Sequence, residues 1–214
     1  PLKLSHTVVD IQGKERVTGI TLAQVGPDRK PIPGTEEQYS CDTLLLSVGL
    51  IPENELTKGI GAAMSPVTSG PEVNDHLETS VEGVFACGNV LHVHDLVDYV
   101  SEEASLAGTN AAAYVLAGEK TDGHRVELKG ENGVRYTVPQ TIDINNMLDQ
   151  VTVRFRVADV YKDRCIAVYY DGVQVSRRKK KVLAPGEMEQ VVLKKDSFAQ
   201  YPDLKRIVIC TEED

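Results

Sequence analysis

The chain of 214 residues contains no Trp and only 5% aromatic residues. Base-stacking recognition of nucleic acid has little to work with here. A sandwich of the Cys–Trp immunoglobulin type is excluded as well. The four cysteines, Cys41, Cys87, Cys165 and Cys210, form no C-x-x-C pair and no metal-ligand spacing, so neither a disulfide framework nor a zinc module is expected. That usage suits a reducing, cytoplasmic setting. No apolar run is long enough to span a membrane. There is also no complete G-x-G-x-x-G turn. The nearest candidates are Gly59-Ile60-Gly61, which follows no strand pattern, and Gly13 and Gly19, which flank a short polar turn.

Charge is unevenly distributed. Residues 1–121 carry a balance of −10 and residues 122–214 a balance of +1, for the overall −9. The asymmetry predicts a boundary near Gly118–Gly123, where Gly-Glu-Lys-Thr-Asp-Gly reads as a linker. The basic run Arg177-Arg178-Lys179-Lys180-Lys181 lies in the nearly neutral half. It reads as protective charge on an edge strand, with an acidic protein partner as a second option and nucleic acid not expected.

Hydrophobic patterning gives a coarse map. Ser5–Ile11 and Arg16–Val25 read as strands joined through Gln12-Gly13-Lys14-Glu15, followed by Glu37–Cys41. Leu44–Val48 has the continuous apolar pattern of a strand buried on both faces, closed by Gly49 and Pro52. Val84-Phe85-Ala86 is a second, shorter pattern of that kind. Gly88 follows it at a place where only a residue without a Cβ lets a ligand approach the backbone, and Asn89 then presents a short polar side chain. The Ala-rich stretch after Asp98 predicts a helix, capped by Asp98 or Ser101, with Ala104, Ala107, Ala111 and Val115 on one face and a stop at Gly118. Beyond residue 124 short strands dominate. Val151–Val157 alternates strictly, Ile166–Tyr170 and Val173–Val175 flank the turn Asp171-Gly172, and Met188–Leu193 and Lys205–Cys210 follow.

The segment Thr79-Ser80-Val81-Glu82-Gly83-Val84-Phe85-Ala86-Cys87-Gly88-Asn89 resembles the second FAD-binding fingerprint of the pyridine nucleotide-disulfide oxidoreductases, T-x-x-x-G-V/I-F/Y-A-x-G-D. Two neighbours in the right order support the likeness. Cys41–Leu56 resembles the family's last NAD-domain strand and crossover, and Asp98–Ala104 resembles the start of its flavin-facing helix. The resemblance covers about residues 1–118. It implies an α/β fold, a partial two-dinucleotide-binding-domain flavoprotein fold, to which a C-terminal antiparallel β-sandwich-like domain is appended. The implied divisions are residues 1–58, the tail of the NAD-binding domain and crossover; 59–121, the second half of the FAD-binding domain; and 122–214, the β domain.

The resemblance further implies a cofactor site in part. Gly88 and Asn89 would meet the ribityl chain, with Asn89 standing where the family has Asp and accepting a hydroxyl proton through its amide oxygen. Asp98, Tyr99 and Val100 would lie at the flavin's pyrimidine edge, where the positive end of the helix favours negative charge. Because both Gly-rich fingerprints are missing, the FAD site is expected to be incomplete and the NAD(P) site largely absent. The implied whole is an FAD-dependent NAD(P)H oxidoreductase with an unidentified acceptor, of which this chain is the carboxyl-terminal portion, inactive alone and completed by an amino-terminal half or partner subunit. A non-catalytic partner-binding module built on the β domain is the alternative. No catalytic residue is assigned. His92, His94 and Asp95 invite a metal reading, but with no third His or Cys nearby no metal is expected. Cys87 reads as inert packing.

Overall fold

A computed structural model describes residues 2–117 and 123–214. The expected linker and the helix stop at Gly118 lie outside the described residues. The fold is mostly strands, with two α-helices among the described residues, and it divides into two compact units, Pro1–Gly49 and Leu50–Asp214.

The first unit is an antiparallel meander of β1 (His6–Gln12), β2 (Gly19–Gln24) and β3 (Glu37–Ser40), in that order. The central strand β2 buries Gly19, Thr21 and Ala23 in strict alternation. The turn from β1 to β2 closes when Thr18 N–H donates to Gln12 O at 2.9 Å. Gly13 sits in it at φ +101°, where a Cβ would fall 1.9 Å from Arg16 O, so no other residue fits.

Leu44–Val48 departs from expectation. It forms no strand, and Leu45 and Val48 are 90% and 85% exposed. A doubly buried strand needs hydrogen-bonded neighbours on both sides. None of the described residues pairs with this segment.

The second unit opens with the short helix α1 (Glu55–Gly59) and continues through irregular chain to the fingerprint. Val84–Ala86 does not form the expected doubly buried strand. Among the described residues it pairs on one side only, with Leu77–Thr79, through a Glu78–Phe85 bridge and hydrogen bonds from Thr79 N–H to Val84 O and from Ala86 N–H to Leu77 O. Ala86 is buried, whereas Val84 and Phe85 are half-buried. A 3-10 turn at Gly88–Val90 leads to the helix α2 (Val97–Ala117).

The buried stripe of α2 is Glu103, Ala107 and Asn110, flanked by half-buried Leu106 and Tyr114. This stripe corrects the predicted face, because Ala104 and Val115 are exposed. Neither expected cap forms. Asp98 lies within the first turn, and Ser101 Oγ donates back to Val97 O at 3.2 Å.

The remaining strands are β4 (Arg125–Glu131), β5 (Val134–Val138), β6 (Thr141–Asp143), β7 (Gln150–Val157), β8 (Tyr161–Tyr170), β9 (Val173–Leu183), β10 (Glu189–Lys194) and β11 (Arg206–Glu213). They build a three-stranded sheet, β10-β7-β5, and a five-stranded sheet, β6-β4-β11-β8-β9. Among the described residues all ladders are antiparallel except β4–β11, which runs parallel and so departs from the expected all-antiparallel arrangement. One apolar cluster joins the sheets, with Val151, Val153, Phe155 and Val157 of β7 meeting residues such as Val126, Ile166, Val168, Ile207 and Ile209.

Turn chemistry sets two hairpins. Asp171 and Gly172 take φ 44° and 86° between β8 and β9, as a type I′ turn requires. Asn132 and Gly133 do the same between β4 and β5, at φ 42° and 96°. The basic run lies on β9, an edge strand, and pairs with acids on neighbouring segments: Arg177 and Lys179 with Asp214, Arg178 and Lys180 with Glu189.

The three-stranded sheet is covered on both faces. Register places Phe155 opposite Thr137 on the inner face, and Arg154 opposite Val138 and Arg156 opposite Tyr136 on the outer one. The outer face meets α2 and the fingerprint region through a second apolar cluster that includes Val138, Tyr136, Leu77, Leu91 and Ala107.

Candidate functional site

The loop from Gly88 to Asp95 is held from three directions. Gly88 takes φ +71°, and a Cβ on it would lie 3.2 Å from Val100 Cγ1 on the first turns of α2. Its carbonyl accepts from Leu91 N–H at 2.9 Å and His92 N–H at 3.2 Å, and its own N–H donates to Glu103 Oε2 at 3.0 Å. Asn54, buried beneath, donates from Nδ2 to Val90 O at 2.7 Å. Gly70 permits a close approach from the other side, since a Cβ there would sit 1.8 Å from Leu91 O.

Glu103 is the centre of this arrangement. Its Oε1 accepts from His92 Nε2 at 2.8 Å and lies 3.5 Å from Arg154 Nη1, while its Oε2 accepts from His94 Nε2 at 2.9 Å as well as from Gly88. Burial alone would raise the Glu103 pKa. The donated hydrogen bonds of His92 and His94 overcome that and hold it at about 2. Burial lowers the His92 pKa, against the opposing pull of Glu103, so His92 stays neutral and donates through Nε2. Arg154 also pairs with Glu102 and stacks 4.9 Å over the Tyr99 ring. The buried carboxylate therefore faces one guanidinium, two imidazoles and one backbone amide.

Glu103, rather than Asp95, is the third residue beside the two histidines, and the ligand-type atoms of His92, His94 and Glu103 lie within 4.8 Å of one another. Hydrogen bonding accounts for the group better than a cation does. Each carboxylate oxygen already receives two donors, and a guanidinium occupies the same side. His92 Nδ1 and His94 Nδ1 are buried without a hydrogen-bond partner, but they lie on the far side of each ring, where a cation at Nε2 would not reach them. Asp95 is engaged elsewhere, accepting from Met188 N–H at 3.2 Å and pairing with Arg156 at 3.4 Å. Burial, then the nearby Glu103 charge, raises the Cys87 thiol pKa, which makes it a poor nucleophile.

The five sequence-predicted residues gather at one edge of this loop. Val100 Cγ1 stands where it would be met by a Cβ on Gly88, Tyr99 packs beside His94 at 6.5 Å between ring centres, and Asp98 is exposed in the first turn of α2. Asn89 is exposed and its Oδ1 accepts from His94 N–H at 3.1 Å. That bond fixes the amide's orientation: Oδ1 keeps one lone pair for a ligand hydroxyl, and Nδ2 is an outward donor. Sequence reasoning missed Glu103, Arg154 and Arg156. The available signals were an acid placed among the small residues of a helix and two arginines in the polar phase of an alternating strand.

The corner thus combines a glycine at positive φ, a short amide side chain beyond it and a long helix that begins at Val97. Residues 2–111 match the pyridine nucleotide-disulphide oxidoreductase family, and the chain belongs to it. It is 25% identical over 143 residues to the NAD(P)H sulfur oxidoreductase (CoA-dependent) of Pyrococcus furiosus, covering 67% of this chain and 29% of that protein. It is 30% identical over 122 residues to the dihydrolipoyl dehydrogenase of Trypanosoma brucei brucei, covering 55% of this chain and 23% of that one. A Pyrococcus horikoshii NAD(P)H coenzyme A polysulfide/persulfide reductase is 24% identical over 143 residues, covering 67% of this chain. The chain thus spans less than a third of these relatives' length. No helix among the described residues is long and apolar enough to cross a membrane.

Proposed function

We propose that the chain supplies one wall of the flavin site in an FAD-dependent NAD(P)H oxidoreductase, as that enzyme's carboxyl-terminal portion. The observation that carries this is the Gly88–Asn89 corner. It joins a left-handed glycine, whose missing Cβ would lie 3.2 Å from Val100 Cγ1, to an exposed amide next to the amino terminus of α2. The corner fits a ribityl chain, because a backbone without a Cβ permits close approach and the Asn89 amide offers both an acceptor and a donor. Val100 and Tyr99 would wall the ring, and the free N–H groups of the first turn of α2 would favour negative charge beside it. The flavin, when bound, would exchange hydride with nicotinamide and pass electrons to an acceptor. This chain's residues bind and orient. None of them is assigned a proton or a bond in the reaction.

Without a Gly-rich turn in this sequence, the pyrophosphate wall comes from a polypeptide segment that carries one, either an amino-terminal half or a partner subunit. On this reading residues 1–58 belong to the NAD-binding domain and crossover, 59–121 to the FAD-binding domain and 122–214 to a sandwich-like β domain. The visible spectrum of the purified chain, with and without added FAD, tests the reading. Colourless protein that acquires flavin only when mixed with a polypeptide bearing the Gly-rich fingerprint supports it. Stoichiometric flavin on the chain alone, or NAD(P)H oxidation by it, overturns the half-site. Flavin binding in neither case favours the non-catalytic partner-binding alternative.

A further inference from the structure

The outer face of the β10-β7-β5 sheet is not a solvent face. Alternation along β7 sends Val153, Phe155 and Val157 into the core and Arg154 and Arg156 the other way, where both guanidiniums are covered: their side chains are 8% and 13% exposed. Arg154 reaches Glu102 and Glu103 of α2. Arg156 reaches the loop itself. Its Nη2 donates to Val93 O at 3.0 Å and lies 3.4 Å from Asp95 Oδ1, while Nη1 donates to Pro185 O at 3.1 Å. Asp95 is gripped a second time by Met188 N–H at 3.2 Å. Tyr136, opposite Arg156 on β5, meets the His92 ring edge-on at 5.9 Å.

We propose that the β domain is a positioning element for the flavin-side loop, with Arg154 and Arg156 as its positioning residues. Two planar cations on one strand reach both sides of the same corner. Arg154 fixes the carboxylate that receives Gly88 N–H, His92 and His94, and Arg156 fixes the backbone one residue before His94. His94 N–H in turn orients the Asn89 amide. A guanidinium suits this task because its rigid fork serves several acceptors at once, which an ammonium cannot do in one geometry. The placement of Asn89 and Gly88 therefore depends on a domain that contributes no atom to the flavin wall. The inference rests on the flavin reading only for the significance of that placement.

Amide exchange in the folded chain, followed residue by residue, tests it. Arg156→Ala should speed exchange at His92 and His94 by about tenfold or more while leaving the core strand β11 protected, because the loop opens locally. Arg156→Lys should restore protection only in part. Arg154→Met, which keeps the length and apolar stem, should loosen the Gly88 amide in the same way. Unchanged loop exchange in both Arg156→Ala and Arg154→Met would overturn the proposal, as would acceleration that is equal in the loop and in β11. A second measurement uses the complex with the fingerprint-bearing polypeptide, where Arg156→Ala should weaken flavin affinity about tenfold with its visible spectrum altered. Loosened loop exchange with flavin affinity unchanged would overturn the link to the cofactor and leave the clamp standing. If even the unaltered complex binds no flavin, the flavin reading fails while the exchange data still decide the clamp.

Discussion

Replacing Glu103 by Gln keeps the side chain's size and removes its charge, which isolates what the buried carboxylate does. The wild-type group is 2% exposed and accepts from His92, His94 and Gly88 opposite Arg154. In Glu103→Gln one carboxylate oxygen becomes an NH2 that faces donors, and Arg154 loses a buried counter-charge. Removing one partner of a buried pair costs about 3–5 kcal/mol. The lowered pKa of Glu103 corresponds to a similar size. The Glu103 pKa falls from 4.5 to about 2. At roughly 1.4 kcal/mol per tenfold change in proton affinity, that corresponds to about 3 kcal/mol. The sign follows from the direction: the folded protein holds the proton less tightly than the unfolded chain does. The stabilisation is therefore complete above about pH 4.5 and is lost as pH falls toward 2. At neutral pH Glu103→Gln should lower the midpoint of thermal unfolding by roughly 6–20 °C, on about 2–4 °C per kcal/mol for a unit of this size. The gap between the proteins should narrow on acidification, by roughly 1.4 kcal/mol at about pH 3.5. His92, with its pKa lowered by burial against the pull of Glu103, also destabilises on acidification, beginning below 6.5; Glu103→Gln removes that pull and makes this loss larger in the variant, so the narrowing is read from about pH 4.5 downward, where the Glu103 contribution is lost. Circular dichroism across a pH series measures this. A loss below about 1 kcal/mol at neutral pH, or a gap that does not change with pH, would refute the assignment of Glu103 as a charged, paired carboxylate.

Two glycines at similar φ should separate backbone strain from contact. Gly172→Ala at φ 86°, with nothing within 4 Å of the new methyl, should cost about 1 kcal/mol in denaturant unfolding. Gly88→Ala at φ +71° should cost more, about 2 kcal/mol, because the methyl also presses on Val100 at 3.2 Å; equal losses would remove the contact argument. Phe155→Ala, fully buried between the two sheets, should cost about 3–5 kcal/mol, and a loss under 1 kcal/mol would mean that the sheets do not share that core. Lys179→Gln, on the exposed edge strand, should leave the unfolding midpoint unchanged despite its contact with Asp214; a clear drop would give the basic run a structural role it lacks here.

Local chemistry made several elements legible in the sequence. The strict alternation of Val151–Val157 gave β7 and its core face, and Asp171-Gly172 gave the β8–β9 turn, because period and turn type depend on nearby residues alone. Asn132-Gly133 carried the same signal for β4–β5 and went unread, hidden by the charged residues of β4. Apolar runs were less reliable. Leu44–Val48 and Val84–Ala86 both have strand composition, but a strand exists only where a neighbour accepts its hydrogen bonds, and that depends on distant chain. The α2 face was misassigned because alanines are uninformative about direction, and the stripe that turns inward carries Glu103 and Asn110. The site shows the same division. Gly88, Asn89, Asp98, Tyr99 and Val100 were found from a contiguous motif. Glu103 with Arg154, 51 residues apart, and Arg156 with Asp95, 61 apart, meet only through tertiary packing.

The central claim, that the Gly88–Asn89 corner forms one wall of a flavin site completed elsewhere, is tested most directly by FAD titration. The chain is mixed with the polypeptide that carries the Gly-rich fingerprint, and Asn89→Leu is compared with the unaltered chain. One flavin should bind per complex and none on either partner alone, and Asn89→Leu should lower the affinity about tenfold or more, since a hydrogen-bonding amide is replaced by an apolar group of similar size. Equal affinity for both, or full occupancy of the 214-residue chain on its own, would contradict it.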